Sequence, residues 1–129
     1  MSITKPNYVY CAKLERVVDG DTYELMVDLG CSVWHKLTVR LLGVNTPETK
    51  GATREAGLAA TREAERWFAE HHTLVVELRK EPKRQTDSFR RYLALIYGTN
   101  FAGHQASLSE HLLATHHAVL FRPDQPTGE

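Results

Sequence analysis

The chain has 129 residues, enough for one domain with a core of its own and no need of disulfide or metal staples. At 42% hydrophobic and 25% charged residues, its composition excludes a disordered or fibrous protein. Sixteen Lys and Arg offset sixteen Asp and Glu, so a polyanion would have to be met by a local cluster of arginine and metal rather than by an overall positive field.

In chain order, residues 7–18 read as a first strand that is halted by Asp19-Gly20-Asp21. Thr22 to Leu29 is a second strand ending at Gly30. Val33 to Leu42 is a third, closed by Gly43 and then Asn45-Thr46-Pro47. Short β-rich runs between turn residues predict an antiparallel meander. The period then changes: Ala56, Ala60, Ala64, Trp67 and Phe68 form a helical stripe between Thr53 and Glu70, with Trp67 and Phe68 expected in the core. A fourth strand is expected over Thr73–Arg79, a charged loop over Lys80–Ser88, and a fifth strand over Tyr92–Tyr97 that stops at Gly98. A second helix is expected over Ala106–Thr115, with Ser107 or Ser109 as its cap. Three strands, a helix, two strands and a helix fit a mainly β fold: a five-stranded OB-fold barrel with two helices. Residues 1–6 and 123–129 are expected to be tails around one domain spanning 7–122.

Cys11 and Cys31 are expected to be buried free thiols. The polar start Met1-Ser2-Ile3-Thr4 carries no secretory signal, which points to the cytoplasm and suits a phage- or plasmid-encoded protein. No stretch approaches the roughly 18 apolar residues that span a bilayer, so no membrane partner is expected. The seven histidines lack the spacing of a zinc site, and those at helix ends suit the helix dipole.

The polar residues with chemical potential are Asp21, Asn45 and Glu48, hard-oxygen donors of the kind calcium or magnesium prefers, and Arg40, whose planar guanidinium grips phosphate. Pairing of the second and third strands would bring the start of one, with Asp21, beside the end of the other, with Arg40, Asn45 and Glu48. Carboxylates, a metal and guanidinium groups are the parts needed for phosphoryl transfer by positioning and charge stabilisation. Each fragment alone is an ordinary turn or surface charge; their joint order is the signal.

Val18-Asp19-Gly20-Asp21-Thr22, then Val39-Arg40-Leu41-Leu42-Gly43-Val44-Asn45-Thr46-Pro47-Glu48-Thr49, then Thr86-Asp87-Ser88-Phe89-Arg90-Arg91, closely resemble the staphylococcal nuclease family. The resemblance runs from about Val17 to Ala118. It implies a calcium-dependent endonuclease that hydrolyses DNA and RNA, with water attacking phosphorus in line. Asp21 is similar to a carboxylate ligand of calcium, Asn45 stands where a second carboxylate ligand is usual, and Thr46 where a backbone carbonyl completes the site. Asp19 resembles a nearby acid behind the ligands. Arg40 resembles the arginine that binds the scissile phosphate, Glu48 the glutamate that handles the attacking water, and Arg91 the second phosphate arginine, with Arg90 its neighbour. Phe89 stands where relatives carry a tyrosine and would stack on a base. Asn45 removes one negative charge, which implies a weaker calcium site. The alternative is a catalytically inactive OB-fold module that binds nucleic acid or protein. A monomer is expected.

Overall fold

The computed structural model describes residues 7–79 and 91–121. The expected loop Lys80–Ser88, Phe89, Arg90 and the 123–129 tail lie outside the described residues. The order of elements is β1 (Val9–Asp19), β2 (Thr22–Gly30), β3 (Val33–Leu41) and the short β4 (Val44–Asn45), then a 3-10 turn at Gly51–Thr53 and α1 (Arg54–Glu70). They are followed by β5 (His71–Leu78), β6 (Tyr92–Asn100), β7 (Gln105–Ser107), α2 (Leu108–Ala114) and β8 (Val119–Leu120).

β1, β2 and β3 form the expected meander, turned at Asp19–Asp21 and at Gly30-Cys31-Ser32. The second turn places Gly30, Cys31 and Ser32 all at positive φ. β1 also pairs with β5, and β5 with β6, all antiparallel. β3 then pairs in parallel with β6, through Val39 to Tyr92, Arg40 to Leu93 and Leu41 to Ala94. This last pairing closes five strands into an OB-type barrel and gives the edge of β3 a partner. Two register shifts in the β1–β2 ladder, at Leu14/Arg16 and Val17/Asp19, bend β1 as closure requires.

The interior follows from alternation. Tyr23, Leu25 and Val27 of β2, Leu37, Val39 and Leu41 of β3, Leu74 and Val76 of β5, and Ala94 and Ile96 of β6 are all buried. One end is covered by Trp67 and Phe68 of α1 and by Leu108 and Leu112 of α2, as the sequence predicts for the two aromatics. Each large apolar side chain removed from water here contributes roughly 1.5–3 kcal/mol. The Tyr23 phenol, wholly buried, donates to the carbonyl of Gly20, and burial pushes its pKa well above the ordinary tyrosine range.

Several expectations need correction. Ala56 of the predicted stripe is exposed; Gly57 is buried in its place, one step round the helix. β6 runs past Gly98 to Asn100, and Gln105–Ser107 returns beside it as β7, so α2 begins at Leu108. Asn100 makes this turn, since its side chain accepts from the backbone of Ala102 and His104 at 3.0 and 2.9 Å. Ser107 is the cap of α2, accepting from Glu110 N at 3.3 Å. His71 and His72 open β5 rather than end α1, although His71 stays bonded to the carbonyl of Trp67 at 2.7 Å. Cys11 and Cys31 are free but exposed, because β1 turns Cys11 outward and Cys31 sits at a hairpin tip. Among the described residues no helix is long and apolar enough to cross a membrane.

Candidate active site

Three backbone features bring distant polar residues together. The β2–β3 ladder sets Thr22 opposite Arg40, and Leu41 N donates to the carbonyl of Asp21 at 2.9 Å. The parallel β3–β6 contact puts the start of β6 beside Arg40, so Arg91, one residue before β6, reaches Thr22 Oγ1 at 2.9 Å. Finally, β8 pairs with β4, Val119 opposite Asn45 and Leu120 opposite Val44, and holds the chain leaving β3 in place.

These contacts enclose a polar cavity of about 130 Å³ lined by Asp19, Asp21, Arg40, Asn45, Thr46, Pro47, Glu48 and Arg91. Every candidate named from the sequence within the described residues therefore borders one space. Phe89 and Arg90 lie outside those residues.

Asp21 is buried and anchored. Its Oδ2 accepts from Thr46 N at 3.0 Å, its Oδ1 accepts from Thr22 Oγ1 at 3.3 Å, and Arg40 Nη2 lies 3.5 Å from Oδ2. Arg40 is 8% exposed, and both terminal nitrogens of its guanidinium are bonded within the protein. Nη1 donates to the carbonyls of Leu41 and Val44, and Nη2 to Asn45 Oδ1 at 2.9 Å. Phe121 places its ring 5.6 Å from Arg40 Cζ, a cation–π contact, and its N–H donates to the carbonyl of Gly43.

Asp19 stands behind Asp21, its Oδ1 accepting from Asp21 N at 3.2 Å. Its carboxyl is raised above the usual carboxylate range, first by burial and then by a hydrogen bond to and repulsion from Asp21. Two neighbouring, partly buried carboxylates are a demand for positive charge. Asn45 and Thr46 line the same cavity, so the side-chain and backbone donors bordering it are oxygens, the ligand type a hard cation takes. Among the described residues, no group of three or more His, Cys, Asp or Glu is placed to hold a metal ion.

Glu48 differs from the rest. Its side chain is exposed, and its position comes from the backbone. Thr53, the cap residue of α1, spends its hydroxyl on the Glu48 carbonyl at 2.9 Å instead of on the helix. Gly57, in the first turns of α1, lies directly against that carbonyl, where a Cβ would overlap it. Gly20 has the same purpose on the other wall, since a Cβ there would come within 2.7 Å of Thr46 Oγ1. Gly57, Thr53 and Phe121 were missed from the sequence. A glycine inside a strong helical pattern was the available signal for Gly57.

A small closed barrel of OB type, with acids and two arginines gathered at one polar cavity, has the architecture of a nuclease-like OB-fold domain. The sequence model described as staphylococcal nuclease homologue matches residues 38–128, and the chain belongs to that family. The match starts at Thr38, so Asp19 and Asp21 join the site through β2–β3 pairing upstream of it. A search of curated proteins gives no match.

Proposed function

We infer that the protein is a calcium-dependent nuclease, a phosphodiesterase acting on DNA and RNA. The observation that supports this most is the convergence of Arg40, Arg91, Asp21 and Glu48 on one cavity from three separate stretches of chain. In this reading Arg40 and Arg91 hold the scissile phosphate and neutralise the charge that builds on it during in-line attack. Glu48, exposed on the cavity rim, orients the attacking water and takes its proton; the water oxygen forms the new P–O bond as the leaving oxygen departs with the electron pair. Asp21, Asn45 and the Thr46 carbonyl would hold calcium, with Asp19 behind them, and the cation would supply charge stabilisation to the phosphate oxygens. Hydrogen bonds to Leu41, Val44 and Asn45 fix the Arg40 guanidinium before substrate arrives, so little reorganisation is needed during the reaction.

A binding module without catalysis is the second reading, and the bonding of Arg40 favours it: a buried guanidinium whose two terminal nitrogens are bonded within the protein is also a structural clamp. Cleavage of denatured DNA and of RNA separates the two, with calcium titrated into the millimolar range, a chelator control and Glu48→Gln beside the parent. Calcium-dependent products that vanish in the variant are expected. Binding of either nucleic acid with no cleavage at any calcium, magnesium or manganese level would replace the nuclease with the module.

A further inference from the structure

The Arg40 guanidinium has one neighbour that the proposed chemistry leaves without a task, the ring of Phe121. Arg40 Cζ lies over that ring, 5.6 Å from its centroid. Phe121 directly follows β8, the last strand among the described residues. β8 has little side-chain packing of its own, since Val119 is 66% and Leu120 67% exposed. Backbone bonds hold it: Val119 is paired with Asn45 and Leu120 with Val44, and Phe121 N donates to the carbonyl of Gly43 at 2.9 Å. A pair of two-residue strands is marginal by itself, so its place in the fold comes from what surrounds it.

The register shows what that is. The two residues of β4 that pair with β8 are the same two that accept from the guanidinium, Val44 through its carbonyl at 2.8 Å and Asn45 through Oδ1 at 2.9 Å. β8 thus steadies the acceptors of Arg40, and Phe121 meets the cation itself. An aromatic ring is suited to this place. Its electron-rich face attracts a cation, more strongly where water is excluded, and Arg40 is buried. The ring also competes little for the N–H donors that a phosphate needs, whereas a carboxylate in its place would take them.

We propose that Phe121 is a positioning residue for the reaction, its ring setting the Arg40 guanidinium toward the scissile phosphate and β8 serving as the splint that carries it. The assignment rests on the nuclease reading above and adds to it a residue that does not line the polar cavity. Charge builds on the phosphate only as water attacks, and a cation that must reorient at that moment stabilises it less than one already in place. Phe121 acts on the orientation of Arg40 and not on the substrate. Its effect therefore belongs to kcat, the step in which the charge develops, far more than to KM.

The test measures kcat and KM for denatured DNA in saturating calcium, together with melting temperatures, for the parent, Phe121→Leu and Phe121→Tyr. Leucine keeps the apolar cover without a π face, and tyrosine keeps the ring. Phe121 is 40% exposed, so Phe121→Leu is expected to melt close to the parent. Its kcat should fall by about 3- to 30-fold, the rate equivalent of one cation–π contact, with KM changed far less. Phe121→Tyr should retain most of the parent's kcat. A kcat in Phe121→Leu equal to the parent's overturns the positioning role, as does one in Phe121→Tyr lowered as far as in Phe121→Leu. Activity that merely follows melting temperature in both variants also overturns it, since the ring is then only structural. Each of these leaves the nuclease reading standing. No cleavage by the parent at any calcium level overturns both.

Discussion

The two halves of the candidate site are built on different principles. On the Arg40 side everything is fixed by side-chain bonds inside the barrel mouth: a buried guanidinium on two carbonyls and an amide, and a buried Asp21 on a backbone N–H. On the Glu48 side the carboxylate is exposed, and only its backbone is held, by Thr53 and by contact with Gly57. A group that must meet developing charge gains from being fixed in advance, since reorganisation during the reaction costs energy. A group that must accept a proton from water gains from access to solvent. The difference predicts that mutations in the first half damage both structure and activity, while mutations in the second damage activity alone.

The largest expected effect is on the fixed side. Arg40→Ala should lower kcat/KM for DNA by about 10³-fold or more, as loss of a charge-stabilising arginine does. It should also destabilise the fold by roughly 1–3 kcal/mol in urea unfolding, because the carbonyls of Leu41 and Val44 lose their donor. Glu48→Gln should lower kcat by about 10²–10⁴-fold. Its stability should stay within about 0.5 kcal/mol of the parent, because the side chain is exposed. A clear loss of stability in Glu48→Gln would break the contrast between the two halves.

Gly57→Ala sharpens it. The added methyl must displace the Glu48 carbonyl, so the variant should lose roughly 1–3 kcal/mol in urea unfolding and part of its kcat, although Gly57 touches no substrate. Asn45→Asp comes next and acts on the wall between the halves. It restores a negative charge to the oxygen donors beside Asp21, and calcium binding followed by titration calorimetry should tighten several-fold. Affinity no tighter than the parent's would show that Asn45 serves Arg40 alone.

The smallest effect concerns the polar contact between the two helices. His111 Nε2 of α2 meets Glu63 Oε2 of α1 at 2.6 Å, and this bond, with help from Arg66, holds Glu63 below the usual carboxylate range. The folded form therefore favours the ionised carboxyl, so its contribution is present above about pH 4.5 and is lost as the pH falls further. Glu63 itself is largely covered, but its partners His111 and Arg66 are partly and mostly exposed, so Glu63→Gln should cost about 1 kcal/mol or less near neutral pH. The gap in thermal melting should close toward pH 3. A gap independent of pH would assign the loss to packing.

Much of the architecture was legible because β alternation and helical periodicity are local signals. The three-strand meander, the α1 stripe and the Ser107 cap follow from residues close in sequence. Asp21 and Arg40 could be expected to meet, since a hairpin partner is determined by its turn. The short strands β4, β7 and β8 were not legible, because two or three residues carry no period and are strands only through a partner supplied by the closed barrel.

The sequence by itself determined which residue types this protein can bring to a phosphate: two arginines, a glutamate, a pair of aspartates and an amide, in an order that belongs to one family. Only the tertiary structure decided where they point. Parallel closure of β3 on β6 brings Arg91 to Thr22 beside Arg40, and β8 seats Asn45 and brings Phe121 to the Arg40 guanidinium. Those outcomes depend on contacts between residues far apart in the chain, whose geometry is set when the barrel closes around its core.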